Sequence, residues 1–100
     1  MSAVGLDREH AYQYEGERLD WGLDWRDWLS EVAGDEIDTS TWDAGDLMVE
    51  EAAVQSGVTY AFFSGNVGNQ AYPVINTVTT TGGRTASRRF YIVSRDYVEG

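Results

Sequence analysis

Two alternating runs, Ala71 to Thr80 and Arg84 to Arg95, flank Thr81-Gly82-Gly83, and no other feature of the sequence restricts the fold as much. A period of two places successive side chains on opposite faces of a strand, and a Gly-Gly reversal between two such runs reads as a β-hairpin. In the first run Tyr72, Val74, Asn76 and Val78 share one face. In the second, Phe90 and Ile92 share one face and Tyr91 and Val93 the other. Pro73, which lacks a backbone N–H, points to a sheet edge or a bulge. Upstream, Ile37 to Trp42 is rich in Thr and ends in the turn cluster Asp43-Ala44-Gly45-Asp46. Leu47 to Val54 is a second extended run, and Val58 to Phe63 ends in the Gly/Asn-rich loop Ser64 to Asn69. Short strands with frequent reversals leave no room for crossover helices in 100 residues. They predict one all-β domain, an antiparallel β-sandwich of six to seven strands.

Residues 1–17 mix charge, Gly and polar groups without a sustained period, which predicts an N-terminal arm outside the core, with the sandwich over residues 18–100. The arm's aromatics, Tyr12 and Tyr14, pack at the periphery or dock on a neighbour. Leu19 to Ala33 supports two readings. As a helix, Trp21, Trp25 and Trp28 share a face and Gly34 sits where a C-terminal cap belongs; as a strand, Trp21, Leu23 and Trp25 share one. Periodicity favours the helix, at the expense of Gly22 in its interior. The expected core is Trp25, Trp42, Tyr72, Val74, Val78, Phe90 and Ile92, with Phe62 and Phe63 competing for one inward position. Four Trp are too many for one small core with every N–H satisfied, so at least one is expected to face a partner.

Several chemistries are ruled out or disfavoured by residue types. Cys is absent, which removes disulfides, thiolate nucleophiles and Cys-ligated metals. The one His, His10, lies in the polar arm and no Ser occupies a nucleophile-elbow turn, so a catalytic triad is not expected. Gly65-Asn66-Val67-Gly68 lacks the Lys and helix start of a phosphate-binding loop. Acidic clusters such as Asp20, Asp24 and Asp27 match no calcium-loop spacing and read as solvated surface. No catalytic, cofactor or metal site is therefore expected. Seventeen acids against seven Arg give a net charge of -10, which repels nucleic acid and anionic membranes. Exposed aromatics beside carboxylates leave a carbohydrate-binding module as an alternative to a protein-docking domain.

The order of motifs is more specific. Asp24-Trp25-Arg26-Asp27-Trp28-Leu29, Gly34-Asp35-Glu36-Ile37 and Thr39-Ser40-Thr41-Trp42 are followed by Phe63-Ser64-Gly65. The strand Tyr72 to Thr80, with Asn76 in its middle, then leads into Thr81-Gly82-Gly83-Arg84-Thr85. Over residues 18–95 this series resembles small phage virion proteins known as fiber-tail adaptors. The resemblance implies an immunoglobulin-like sandwich in the tail of a tailed virus. Such a protein joins tail or baseplate to a fibre or neighbouring ring, without enzymatic activity, and is made in the host cytoplasm. It also implies a strand over Arg18 to Asp24 and one helical turn over Trp25 to Ser30.

An adaptor holds neighbours by surface, and copies in a ring bury heterologous patches around a symmetry axis. Most acids lie between Glu15 and Glu51, whereas Arg84, Arg88, Arg89 and Arg95 sit on the last hairpin. With Tyr12 and Tyr14, these four Arg are the expected partner interface, in a homo-oligomeric ring and against other tail, baseplate or fibre proteins. Pairing of the same Arg within the chain is the competing expectation.

Overall fold

The computed structural model describes residues 3–4 and 10–96. Eight strands and one helical turn form two packed sheets. In chain order the elements are β1 (Ala3–Val4), β2 (His10–Tyr14), β3 (Leu19–Asp24), α1 (Arg26–Leu29), β4 (Ile37–Asp43), β5 (Met48–Gln55), β6 (Val58–Ser64), β7 (Gln70–Thr80) and β8 (Thr85–Arg95). One sheet has the order β1-β3-β6-β5 and the other β2-β8-β7-β4. With β1 and β2 read as a split first strand, this is the A-B-E-D and A′-G-F-C order of an immunoglobulin-type sandwich. Two details of that fold recur. The Tyr72 hydroxyl near the start of β7 accepts a hydrogen bond from the backbone N–H of Val67 at 2.9 Å, a tyrosine corner. Val74, two residues on and fully buried, stands where disulfide-linked members of the fold carry a Cys.

Residues 18–96 supply six strands, as expected, and the helical turn follows β3 directly. The strand reading of the Trp segment prevails because Gly22 faces β6 where a side chain has no space: a Cβ there would lie 2.6 Å from the Thr59 carbonyl oxygen. Asp24 then ends the strand and opens the turn. Its Oδ1 accepts from the Arg26 backbone N–H at 3.0 Å and from Arg26 Nε at 2.9 Å.

The N-terminal segment needs correction. Residues 10–14, expected in an arm outside the core, form β2, which pairs in parallel with β8 and buries Ala11 and Gln13. Among the described residues this is the one parallel pair in an otherwise antiparallel set. The rest of the 1–17 segment, apart from Ala3–Val4 and residues 15–17, lies outside the described residues.

Trp25, Phe63, Tyr72, Val74, Val78, Phe90 and Ile92 are buried. Phe63 takes the contested inward position, while Phe62 points outward beneath the Arg18 guanidinium, 4.2 Å from the ring centre. Arg18 also pairs with Glu50 at 3.0 Å and Glu51 at 2.7 Å, which settles the acidic strand β5 against its own sheet. Trp42 departs from expectation. It is half-buried, edge-on to Phe63 and Phe90, and its indole N–H is buried without a partner among the described residues. No Trp is among the exposed large hydrophobics: Trp21, Trp28 and Trp42 pack against the core from its margin. Pro73 is tolerated because β4 covers β7 only from Ile75 onward, so residues 70–74 form a local edge.

Asn76, an amide on an apolar strand face, is fully buried and fully bonded. Its Nδ2 donates to Ser40 Oγ and the Thr41 carbonyl, both at 2.9 Å, and its Oδ1 accepts from Trp25 Nε1 at 3.0 Å and Thr59 Oγ1 at 2.6 Å. The two sheets are thereby locked by one amide whose four hydrogen-bonding positions are all filled.

Candidate partner interface

Strands β2, β7 and β8 contain no Asp or Glu, in a chain with seventeen. Their register builds most of the outer face of the second sheet, which β4 completes with Asp43 beside Ile75. His10, Tyr12 and Tyr14 stand beside Tyr91, Val93 and Arg95, and Tyr91 and Val93 stand in turn beside Pro73 and Ala71. Arg89 stands beside Ile75. Beyond it the face becomes a field of hydroxyls, with Thr77 bonded to Ser87 at 2.7 Å and Thr79 to Thr85 at 3.3 Å. Half of the face is thus aromatic and aliphatic, with an Arg at each end. Tyr12 is 44% exposed and Tyr14 46% exposed, both high for aromatic side chains.

Alternation along β8 sorts the four expected Arg. Arg89 and Arg95 point outward with Tyr91 and are exposed, while Arg88 points inward with Phe90 and Ile92. Each guanidinium lies over a ring: Arg89 at 5.4 Å from the Tyr91 centre, Arg95 at 4.5 Å from Tyr12, Arg88 at 4.4 Å from Trp25. Stacking fixes the plane of a guanidinium and leaves its edge donors directed outward, the geometry that suits bidentate capture of a carboxylate. Among the described residues no carboxylate pairs with Arg88, Arg89 or Arg95. His10 stacks on the opposite flank of the same cluster, 5.7 Å from Tyr91.

Arg84 is engaged within the chain. Its Nε donates to Asp35 at 2.9 Å, its Nη2 to the Trp28 and Leu29 carbonyls at 3.2 and 3.4 Å, and its plane covers the Trp28 ring at 4.1 Å. It clamps the hairpin turn onto α1. The Asp35 side chain is shut off from solvent, which pushes its carboxyl up. The Gly82 backbone N–H, the Thr80 side chain and the Arg84 guanidinium pull harder in the other direction, and the result is a pKa of about 2. A carboxylate whose folded pKa lies below its ordinary value stabilises the fold above that ordinary value and loses its contribution as pH falls through the folded one. The melting temperature of the wild type is therefore expected to fall between about pH 4 and pH 2, and that of Asp35→Asn to start lower and change less over the same interval. Thermal melts across that range, read by circular dichroism, check this.

Sequence reasoning placed Tyr91 and Val93 on the face opposite Phe90 and Ile92, and the signal for the outer face lay there. Ala71, Pro73 and Ile75 alternate with Tyr72 and Val74 and so belong to that face as well, whereas nothing in the arm-like composition of residues 1–17 indicates that His10 joins it. Among the described residues, no group of three His, Asp or Glu side chains is placed to hold a metal ion.

A family described as podophage GP4 fiber-tail adaptor protein gp77 matches residues 13–93. The chain belongs to this family. It is a structural tail adaptor, a component of the phage virion, and the match runs from β2 nearly to the end of β8. No curated protein matches the chain.

Proposed function

We propose that this adaptor works without catalysis, as a homo-oligomeric ring in the tail that joins tail or baseplate to a fibre, and that the outer face of β2, β8 and β7 is one of its contact surfaces. The observation that carries the reading is the outward surface of β2, β8 and β7, three strands without Asp or Glu, bordered on β4 by Asp43 beside Ile75. In a chain of net charge -10, its cations Arg89 and Arg95, which pair with no carboxylate among the described residues, stand over Tyr91 and Tyr12 beside exposed aromatic side chains. Tyr and Arg around an apolar centre are the composition of interface hot spots, and a cation without an internal carboxylate is a ready partner for an external one. A heterologous contact of this kind closes into a ring when each copy is rotated by a fixed fraction of a turn. The family match favours the adaptor over a carbohydrate-binding module.

The two adjacent Arg provide the test. Arg89→Glu is expected to leave the domain folded and to reduce incorporation into tails at least about tenfold, because a repulsive charge then faces an acidic partner. Arg88→Glu is expected to lower stability by about 1 kcal/mol, since it removes the cation over the Trp25 ring. Incorporation is read by mass spectrometry of purified tails, and folding by circular dichroism. Normal incorporation of Arg89→Glu would show that this face does not dock.

A further inference from the structure

The exposed large hydrophobics fall at the two ends of the sandwich. Val32 and Val54, each 43% exposed, border an open cleft of about 650 Å³ between α1, the segment that follows it and the β5–β6 turn. Leu29 and Ile37 line the same cleft, so four aliphatic side chains face it alongside the polar Ser30, Asp35 and Ser56. Its surroundings are acidic: Glu36 lines it, and Asp27 and Glu31 lie exposed on and just after α1. The cations near it are already engaged, Arg26 with Asp24 and Arg84 with Asp35. At the other end, Tyr12 and Tyr14 project from β2, with Arg95 over the Tyr12 ring. Asp35, which lines the cleft, binds the turn before β8, whereas Tyr14 lies opposite Arg95 at the last residue of β8. Eleven residues of strand, roughly 35 Å, separate the two places.

We infer that the cleft beside α1 receives the Tyr12–Tyr14 end of β2 from a second copy of the chain. The inference rests on the homo-oligomeric reading above and names the other half of its contact. A hollow with aliphatic walls and an acidic surround is the complement of aromatic knobs beside an Arg that pairs with no carboxylate among the described residues. Because knob and hollow lie far apart on one chain, each copy offers one of each to different neighbours. Such a contact is head to tail, and it propagates until a ring or filament forms. A volume of this size is ample for aromatic side chains.

The test uses the full-length chain in analytical ultracentrifugation over a range of concentrations. Wild type is expected to sediment above monomer mass, and Val54→Glu and Tyr12→Glu each as monomers with wild-type circular dichroism. An equimolar mixture of the two variants is expected to give a species of two chains and nothing larger, because the intact knob of one fits the intact cleft of the other once. If either single variant is unfolded, Val32→Glu replaces Val54→Glu and Tyr14→Ser replaces Tyr12→Glu. A mixture that stays monomeric, or single variants that assemble like wild type, overturns the contact and leaves self-assembly standing. A wild type that is monomeric at every concentration overturns self-assembly and the contact with it.

Discussion

Trp25→Ala should lower the unfolding free energy by about 3 to 5 kcal/mol, the usual result of emptying a large aromatic site in a core. Three features place it at the upper part of that range. The side chain is fully buried and meets Trp28 edge-on at 5.3 Å. Its N–H is shared between Asn76 Oδ1 and Thr59 Oγ1, which ties β3 to the opposite sheet. Arg88 covers its face and would lose that platform. Domains of this size are stable by only about 5 to 15 kcal/mol, so the variant would stand near the threshold of folding. Urea denaturation decides the point: a change below about 1 kcal/mol would mean that Trp25 is not a keystone. Trp25→Phe separates packing from hydrogen bonding. It keeps most of the ring contact and loses only the N–H, and because Asn76 Oδ1 retains Thr59 it is expected to cost about 1 to 2 kcal/mol.

Much of this architecture was legible from alternation. Tyr72, Val74 and Val78 against Phe90 and Ile92 define the inner face of the hairpin in the sequence as they do in the structure, because a two-residue period carries orientation directly. Two kinds of information were not legible. Gly22 counts against a helix in propensity terms, yet nothing local shows that Thr59 and Tyr60 stand so close that only hydrogen fits. Arg84 looked equivalent to Arg89 and Arg95, yet pairing with Asp35 requires the segment after α1 to meet the hairpin turn, a contact between residues 49 positions apart. Alternation alone separates Arg88 from Arg89. It does not reveal which of the outward cations finds a carboxylate.

The N-terminal strand β2 is the element that departs furthest from what the sequence indicates. HAYQY carries only one aliphatic residue, so composition suggested an arm, whereas the strand is held by hydrogen bonds made by the inward-facing Gln13. Gln13 Oε1 accepts from Trp21 Nε1 at 2.9 Å, and Nε2 shares its hydrogens among the Phe63 and Glu17 carbonyls at 2.9 Å and Asn66 Oδ1 at 3.0 Å. Asn66 answers by donating to the Gln13 and Tyr14 carbonyls and to Ser94 Oγ. Gln13→Leu keeps a similar bulk but strands the Trp21 N–H, the Asn66 oxygen and the Phe63 carbonyl, each at about 1 to 3 kcal/mol if no water enters. The expected loss is at least about 3 kcal/mol in urea denaturation, comparable to a core truncation although no apolar contact is removed. The strand alternates, so the residue that anchors β2 inward is the one that sets Tyr12 and Tyr14 outward. Gln13→Leu is therefore expected to abolish self-association in analytical ultracentrifugation as well as to lower stability. Tyr12→Glu is expected to abolish association at a cost of no more than about 1 kcal/mol, that of the Arg95 contact with the Tyr12 ring. A Gln13→Leu variant that denatures like wild type would show that β2 is held by its backbone pairing with β8 alone.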